Sequence, residues 1–368
     1  MADDSTTLAV NSLPTLTELC GSPDDFLGKL DVGTLNMICA AGLPGAEDSD
    51  IAEQREWLDE AARQVDLQTR SRFDQFVRSP STYNNSPGQF CCNYLLRTLQ
   101  ELFGVRYNPA RIADSDFQNP LCIKPDFRDS RDLFIHGMMG GPGGTCASMP
   151  VMYVAVGRRR GYPLKLVESP GHLFFRWEDP DGRLFNVPER FNVEGAGEGI
   201  SFYPDDFYRT WPREWRYKEK AGDWYMRSLS PVEELAVFLA TRGTCLEENG
   251  RLGEAIQAFD WAVKLVPDDL RYESHLVRLL KRRYEAGIEA LESERHLLDV
   301  DRMMLDQQQR RLESVSLVAG GPRHNERCQC FQCRQAREAV QQPHTPGHPP
   351  GCGCVHCLRG RSNPFNPW

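Results

Sequence analysis

The sequence predicts an α+β protein. In it a helix that starts at a cysteine packs on an antiparallel β-meander, behind a helical N-terminal part and ahead of a C-terminal helical hairpin. Three observations predict this. Apolar residues recur at helical spacing over residues 51–78 and 88–103. A glycine-rich turn at 140–144 leads into an apolar helix and then into short strands divided by Asp179-Pro180-Asp181-Gly182. Ser230-Pro231-Val232-Glu233 opens a second helical region as a capping box with proline at the first helical position.

The chain has 368 residues, enough for two or three domains. Hydrophobic residues make up 40%, which supports a real core. The net charge is -9, so no electrostatic pull toward nucleic acid or an anionic membrane is expected. No apolar run approaches the ~18 residues of a membrane span. The acidic start, MADDSTTLAV, does not read as a secretory signal, and the expected location is the cytoplasm.

Residues 1–30 read as a polar, mobile lead-in. A core region at 31–228 begins with helices: Leu30, Leu35 and Ile38 precede a turn at 42–45, and Ile51, Trp57, Leu58, Ala61, Val65 and Phe73 share one helix face. Tyr94, Leu95, Leu99 and Leu102 mark the next helix. After the glycine turn, a helix from Cys146 to Arg160 ends at Gly161. Strands follow at Leu164–Val167, His172–Glu178 and Leu184–Val187, with an extended piece at Phe191–Glu194. The hairpin spans 229–269, a charged helix 270–317 and a cysteine-rich tail 318–368. The charged helix has apolar positions too irregular to specify a coiled coil.

Cys146 follows the glycine turn at a helix start, where peptide N–H groups and partial positive charge favour a thiolate and can hold an oxyanion. His172 lies at the start of a strand, placed to act as its base. A third group should orient the imidazole from the next strand, and Asn192 and Asn186 are the candidates. His136 reads as structural. Phe174 and Trp177 read as sheet packing, Glu194 as a cleft or turn residue, and Arg158, Arg159 and Arg160 as a solvated helix end. The scattered cysteines, such as Cys20, Cys39, Cys91, Cys92, Cys122 and Cys245, read as buried apolar groups.

The segments GTCASMPVMY, GYPLKLV, PGHLFFRWED and FNVEGAGEG resemble the SirB-type branch of the transglutaminase-like superfamily of papain-type folds. The resemblance covers roughly residues 30–270. It implies a papain-like core and makes Cys146 the nucleophile, His172 the general base and Asn192 the third member, where many relatives have Asp. It implies acyl transfer on an amide or ester of a peptide or protein substrate, as a peptidase, amidase or transferase. It also covers the hairpin, where Gly243, Leu246, Ala255, Phe259, Ala262 and Pro267 fit a tetratricopeptide-like pattern. A non-catalytic interaction scaffold is the alternative expectation.

The tail lies outside that resemblance. Cys328-x-Cys330-x2-Cys333 is repeated as Cys352-x-Cys354-x2-Cys357. A C-x2-C turn presents two thiolates to one tetrahedral ion, so these six cysteines are expected to bind structural zinc. The hairpin and tail are also the expected surfaces for a protein partner.

Overall fold

Side chains that accept backbone N–H groups start several of the helices. In the computed structural model, which describes residues 13–113, 125–196, 199–220 and 223–319, Thr15 caps α1 (Leu16–Cys20) and a short α2 spans Asp24–Leu27. Asp31 caps α3 (Val32–Ala40), Asp50 caps α4 (Ile51–Arg78) and Ser86 caps α5 (Pro87–Phe103). Each such cap satisfies donors that the first helical turn leaves free. Short helices α6 (Pro109–Ala113) and α7 (Ser130–Leu133) lead to the glycine turn and to α8 (Met149–Arg159).

Three strands follow in the order β1 (Leu164–Ser169), β2 (His172–Asp179), β3 (Glu189–Val193), all antiparallel. The fold is therefore α+β. The third strand differs from expectation. Leu184–Val187 lies in a turn, because the connection after Asp179 is long: the Asp179 carboxylate accepts the N–H groups of Arg183 and Leu184, and pairing resumes at Glu189 opposite Asp179.

Strand β2 is buried on both faces. Leu173, Phe175 and Trp177 face the main core, which α8 shares with α3, α4 and α5. Phe174 faces a second, smaller cluster with Val167 and Tyr208. That outer layer comes from α9 (Asp205–Tyr208) and the residues after it; another short helix, α10, spans Tyr217–Lys220. Phe174 and Tyr208 stack with centroids 3.8 Å apart. Two covered faces explain why HLFFRWED reads as a nearly continuous apolar run.

The arginines at the end of α8 are not a solvated end. Arg158 binds Glu234 bidentately at 2.9 and 2.5 Å, and Glu234 is buried. Arg159 reaches Asp31 at 2.6 Å and Asp59 at 2.9 Å, and Arg160 pairs with Asp66. The three charges thus tie one helix terminus to α3, α4 and the hairpin. Paired Arg–carboxylate forks hold geometry as well as charge.

The hairpin is α11 (Pro231–Glu248) and α12 (Leu252–Leu265). A Cβ on Gly243 would lie 2.6 Å from the Phe259 ring, so the absent side chain lets the two helices close. Arg242 donates to the carbonyls of Cys39 and Ala41 at the end of α3. The lead-in is not all loose: Leu19 and Leu27 are buried, and Asp24 accepts the N–H of Val232. Helix α13 spans Leu270–Ala319. The chain divides into two compact units, residues 1–280 and 281–368. None of the described helices is long and apolar enough to cross a membrane.

Candidate active site

The turn before α8 is built on Asp132. Thr145 Oγ1 and Ser148 Oγ both donate to its backbone carbonyl, at 2.6 and 3.1 Å. Its buried carboxylate accepts Asn108 Nδ2 at 2.7 Å and the Asp126 N–H at 2.8 Å, with Arg111 at 3.3 Å. Gly144 exchanges backbone hydrogen bonds with Arg106 and Asn108 at 2.9 and 2.8 Å. Gly143 permits that approach: its φ is 124°, and a Cβ there would lie 2.8 Å from the Arg106 carbonyl. The stitching bridges Tyr107 to Gly144 and sets its ring beside Cys146.

Cys146 therefore sits in the turn just before the regular helix, three residues upstream of Met149. The N–H groups there already have acceptors. Ala147 donates to Thr145 Oγ1 at 3.2 Å, and Ser148 and Met149 donate to the Thr145 carbonyl. The expectation of open helix-start donors is replaced by a single pair: the Tyr107 hydroxyl is hydrogen-bonded to the Cys146 backbone and to its thiol. Burial, with the Cys146 sulfur next, raises the Tyr107 phenol, which stays protonated as a donor.

His172 begins β2 and is buried. Its Nε2 lies 2.7 Å from Glu194 Oε2, and its ring is hydrogen-bonded to Cys146. Burial opposes a charge on this imidazole. The Glu194 carboxylate and the Cys146 sulfur outweigh it, and the pKa is raised to about 9. Glu194 is held in turn by the Tyr208 hydroxyl at 3.3 Å and the Ala196 N–H at 3.0 Å. Trp211 stands edge-on to the imidazole with centroids 4.4 Å apart.

The structure brings Cys146 and His172 together and puts Glu194, not Asn192, on the imidazole. Asn192 is buried on the same face of the sheet, two residues further from His172. Its Oδ1 accepts from Arg176 Nε at 2.7 Å, and its Nδ2 donates to Asp205 at 2.7 Å and to the Tyr203 carbonyl at 3.1 Å. The pairing of Phe175 with Val193 fixes this register and sets Asn192 opposite Arg176. Asn186 lies in the turn with φ 56°. His136 is structural: its Nε2 lies 3.2 Å from both Ser130 Oγ and the Gly45 carbonyl, and burial lowers its pKa.

A cavity of about 1200 Å³ opens on Cys146, His172 and Glu194. Among the described residues, Val105, Tyr107, Phe127 and Trp211 give it apolar walls. Other described thiols are muted by burial: Cys20 and Cys91 are pushed up to about 12, Cys245 to about 11, and Cys39 and Cys92 upward as well. Cys122 and the tail cysteines Cys328, Cys330, Cys333, Cys352, Cys354 and Cys357 lie outside the described residues. No cluster of metal-ligating side chains occurs among the described residues.

The raised imidazole makes a pH-dependent contribution to stability. It is fully present below the ordinary value of 6.5 and is lost as pH rises through about 9. Glu194→Gln removes the leading attraction, so burial then pulls the imidazole down. Ring nitrogen NMR of His172 should show protonation persisting to about 9 in the wild type and to a lower pH in the variant. Urea unfolding should show a wild-type advantage at about pH 6 that shrinks by about pH 10. An unchanged His172 titration in the variant would contradict this electrostatic account. Compared with known proteins, the chain matches no family model, no curated protein and no solved structure.

Proposed function

We propose that the chain is a transglutaminase-like cysteine acyl-transfer enzyme acting on an amide or ester of a peptide or protein. The observation that carries this reading is one buried imidazole bonded on Nε2 to Glu194 and hydrogen-bonded to Cys146, at a cavity large enough for a chain segment. Because Nε2 is engaged by Glu194, Nδ1 is the nitrogen that serves the sulfur.

The Cys146 thiolate attacks the carbonyl carbon and forms a C–S bond. The Cys146 N–H and the Tyr107 hydroxyl, which bond each other in the resting site, turn to the developing oxyanion. His172 gives its proton to the leaving nitrogen or oxygen as that bond breaks, leaving a thioester. Water or an amine then attacks. His172 takes the attacker's proton and the thiolate departs. Glu194 holds the imidazole's orientation and stabilises its charge. Water makes the reaction a hydrolysis and an amine makes it a transfer.

For the tail we propose structural zinc on Cys328, Cys330, Cys333, Cys352, Cys354 and Cys357, supported by the repeated thiolate spacing. Metal analysis of the purified chain tests this: zinc at one or more equivalents supports it, and a zinc-free chain with all six thiols reduced sinks it.

The acyl step is tested with p-nitrophenyl acetate and peptide mass analysis. Acetylation should fall on Cys146, be nearly abolished in His172→Ala, and slow by about 10²–10³-fold in Tyr107→Phe. Acetyl groups spread over surface lysines, with Cys146 unmodified in the wild type, would favour a non-catalytic scaffold that binds partners through its cleft, hairpin and tail.

A further inference from the structure

The cavity over Cys146 reaches the helical hairpin. Val237 and Thr241 of α11 both line it, and at a spacing of four residues they share one helix face. The two ends of α11 explain how. Near its start, Glu234 is fastened to Arg158 at the end of α8. At its other end, Asn249 donates to the carbonyl of Arg128 at 3.0 Å, shortly before Asp132, whose own carbonyl holds the turn at Cys146. Helix α11 therefore runs back along α8 toward Cys146, and Thr241 lies further along that path than Val237.

This wall has few polar groups to spare. The Thr241 hydroxyl donates to the Val237 carbonyl at 2.9 Å, inside its own helix. Glu168, Arg271 and Tyr225 line the same cavity. Arg271 reaches Glu168 at 2.9 Å, holds Asp269 in a fork at 2.9 and 2.6 Å, and lies over the Tyr225 ring at 4.5 Å. Arg227 pairs with Glu233, one turn before Val237, within electrostatic reach of Asp269 and Arg271. Three carboxylates thus face two guanidinium groups, which leaves no spare positive charge for an acidic ligand. A basic ligand would find those carboxylates already bonded to arginine. Leu173 and Val237 add apolar surface.

We propose that this face of α11 is a specificity wall of the active site, seating a large, uncharged, apolar side chain of the substrate peptide. The inference rests on the acyl-transfer reading and names the substrate class for it: peptides with an aromatic or long aliphatic residue beside the reacting carbonyl. The hairpin then serves the site directly. A helix fixed at both ends is a rigid support for such a wall.

Alkylation of Cys146 in the full chain, read by peptide mass, tests the wall. The reagents are iodoacetamide and iodoacetamides carrying an N-phenethyl, N-(2-carboxyethyl) or N-(2-aminoethyl) group. Each rate is divided by that of iodoacetamide in the same protein and by the same ratio for glutathione, so changes in the thiol itself cancel. Wild type should favour the phenethyl reagent by about 10-fold, the gain from burying part of a phenylalanine-sized group. Thr241→Val should keep that preference, because the hydroxyl it removes serves only the helix. Thr241→Lys should abolish it and speed the carboxyethyl reagent instead. Val237→Ala, a milder change, should reduce it by about 3-fold. Equal ratios for all reagents in wild type, a preference for the aminoethyl reagent, or a phenethyl preference that survives both Thr241→Lys and Val237→Ala overturns the wall. p-Nitrophenyl acetate separates this failure from that of the acyl-transfer reading. Equal ratios in a protein acetylated on Cys146 remove the wall alone, whereas a Cys146 that is never acetylated removes the acyl-transfer reading and the wall's substrate role with it.

Discussion

The pairing of His172 with Glu194 sets the terms for the outer layer of the sheet. Removing an imidazolium and a carboxylate from water costs several kcal/mol per ion unless both are close and fully bonded. Here they are 2.7 Å apart, and the remaining carboxylate valences take the Tyr208 hydroxyl and the Ala196 N–H. On the side away from the cavity, Phe174 and Tyr208 stack beside the imidazole and shield the pair from water, with Trp211 edge-on to the ring. The aromatic layer is therefore part of the site's electrostatics. Without it the pair would be screened and its hold on the imidazole weakened.

The position of Cys146 depends on a buried aspartate, Asp132. Asp132 collects Asn108, Asp126 and Arg111 on its side chain and offers its carbonyl to Thr145 and Ser148. Those contacts fix the turn that carries Cys146, and the glycines let the 105–108 segment approach it. The arginines of α8 then fasten the helix to α3, α4 and the hairpin. Cys146 and His172 stand on elements anchored by these contacts, which is how the spacing of two side chains can be held to a fraction of an ångström.

Much of this was legible in the sequence. Helical periodicity placed α4 and α5, and the capping box placed α11. The glycine turn before Cys146 and the strand beginning at His172 identified two residues that meet. That Glu194 is the side chain bonded to the imidazole was not legible, for a specific reason. Asn192 in β3 and Glu194, the residue just after it, are two positions apart in extended chain, so alternation alone cannot choose between them. The choice depends on register, and register depends on a connection that resumes pairing at Glu189, not at Leu184. The arginine run was misread because its carboxylate partners lie between about 75 and 130 residues away in sequence, beyond any local pattern. Tyr107 gave no signal at all: its role arises from backbone stitching to Gly144.

The most direct measurement is the rate of iodoacetamide alkylation at Cys146 across pH, read by peptide mass in wild type, His172→Ala and Glu194→Gln. The account predicts fast alkylation at neutral pH in the wild type, slowed by ~10-fold or more in His172→Ala, with Glu194→Gln between them. Identical, slow profiles in all three proteins would show that the imidazole does not activate the thiol, and would contradict the cysteine acyl-transfer reading at its first step.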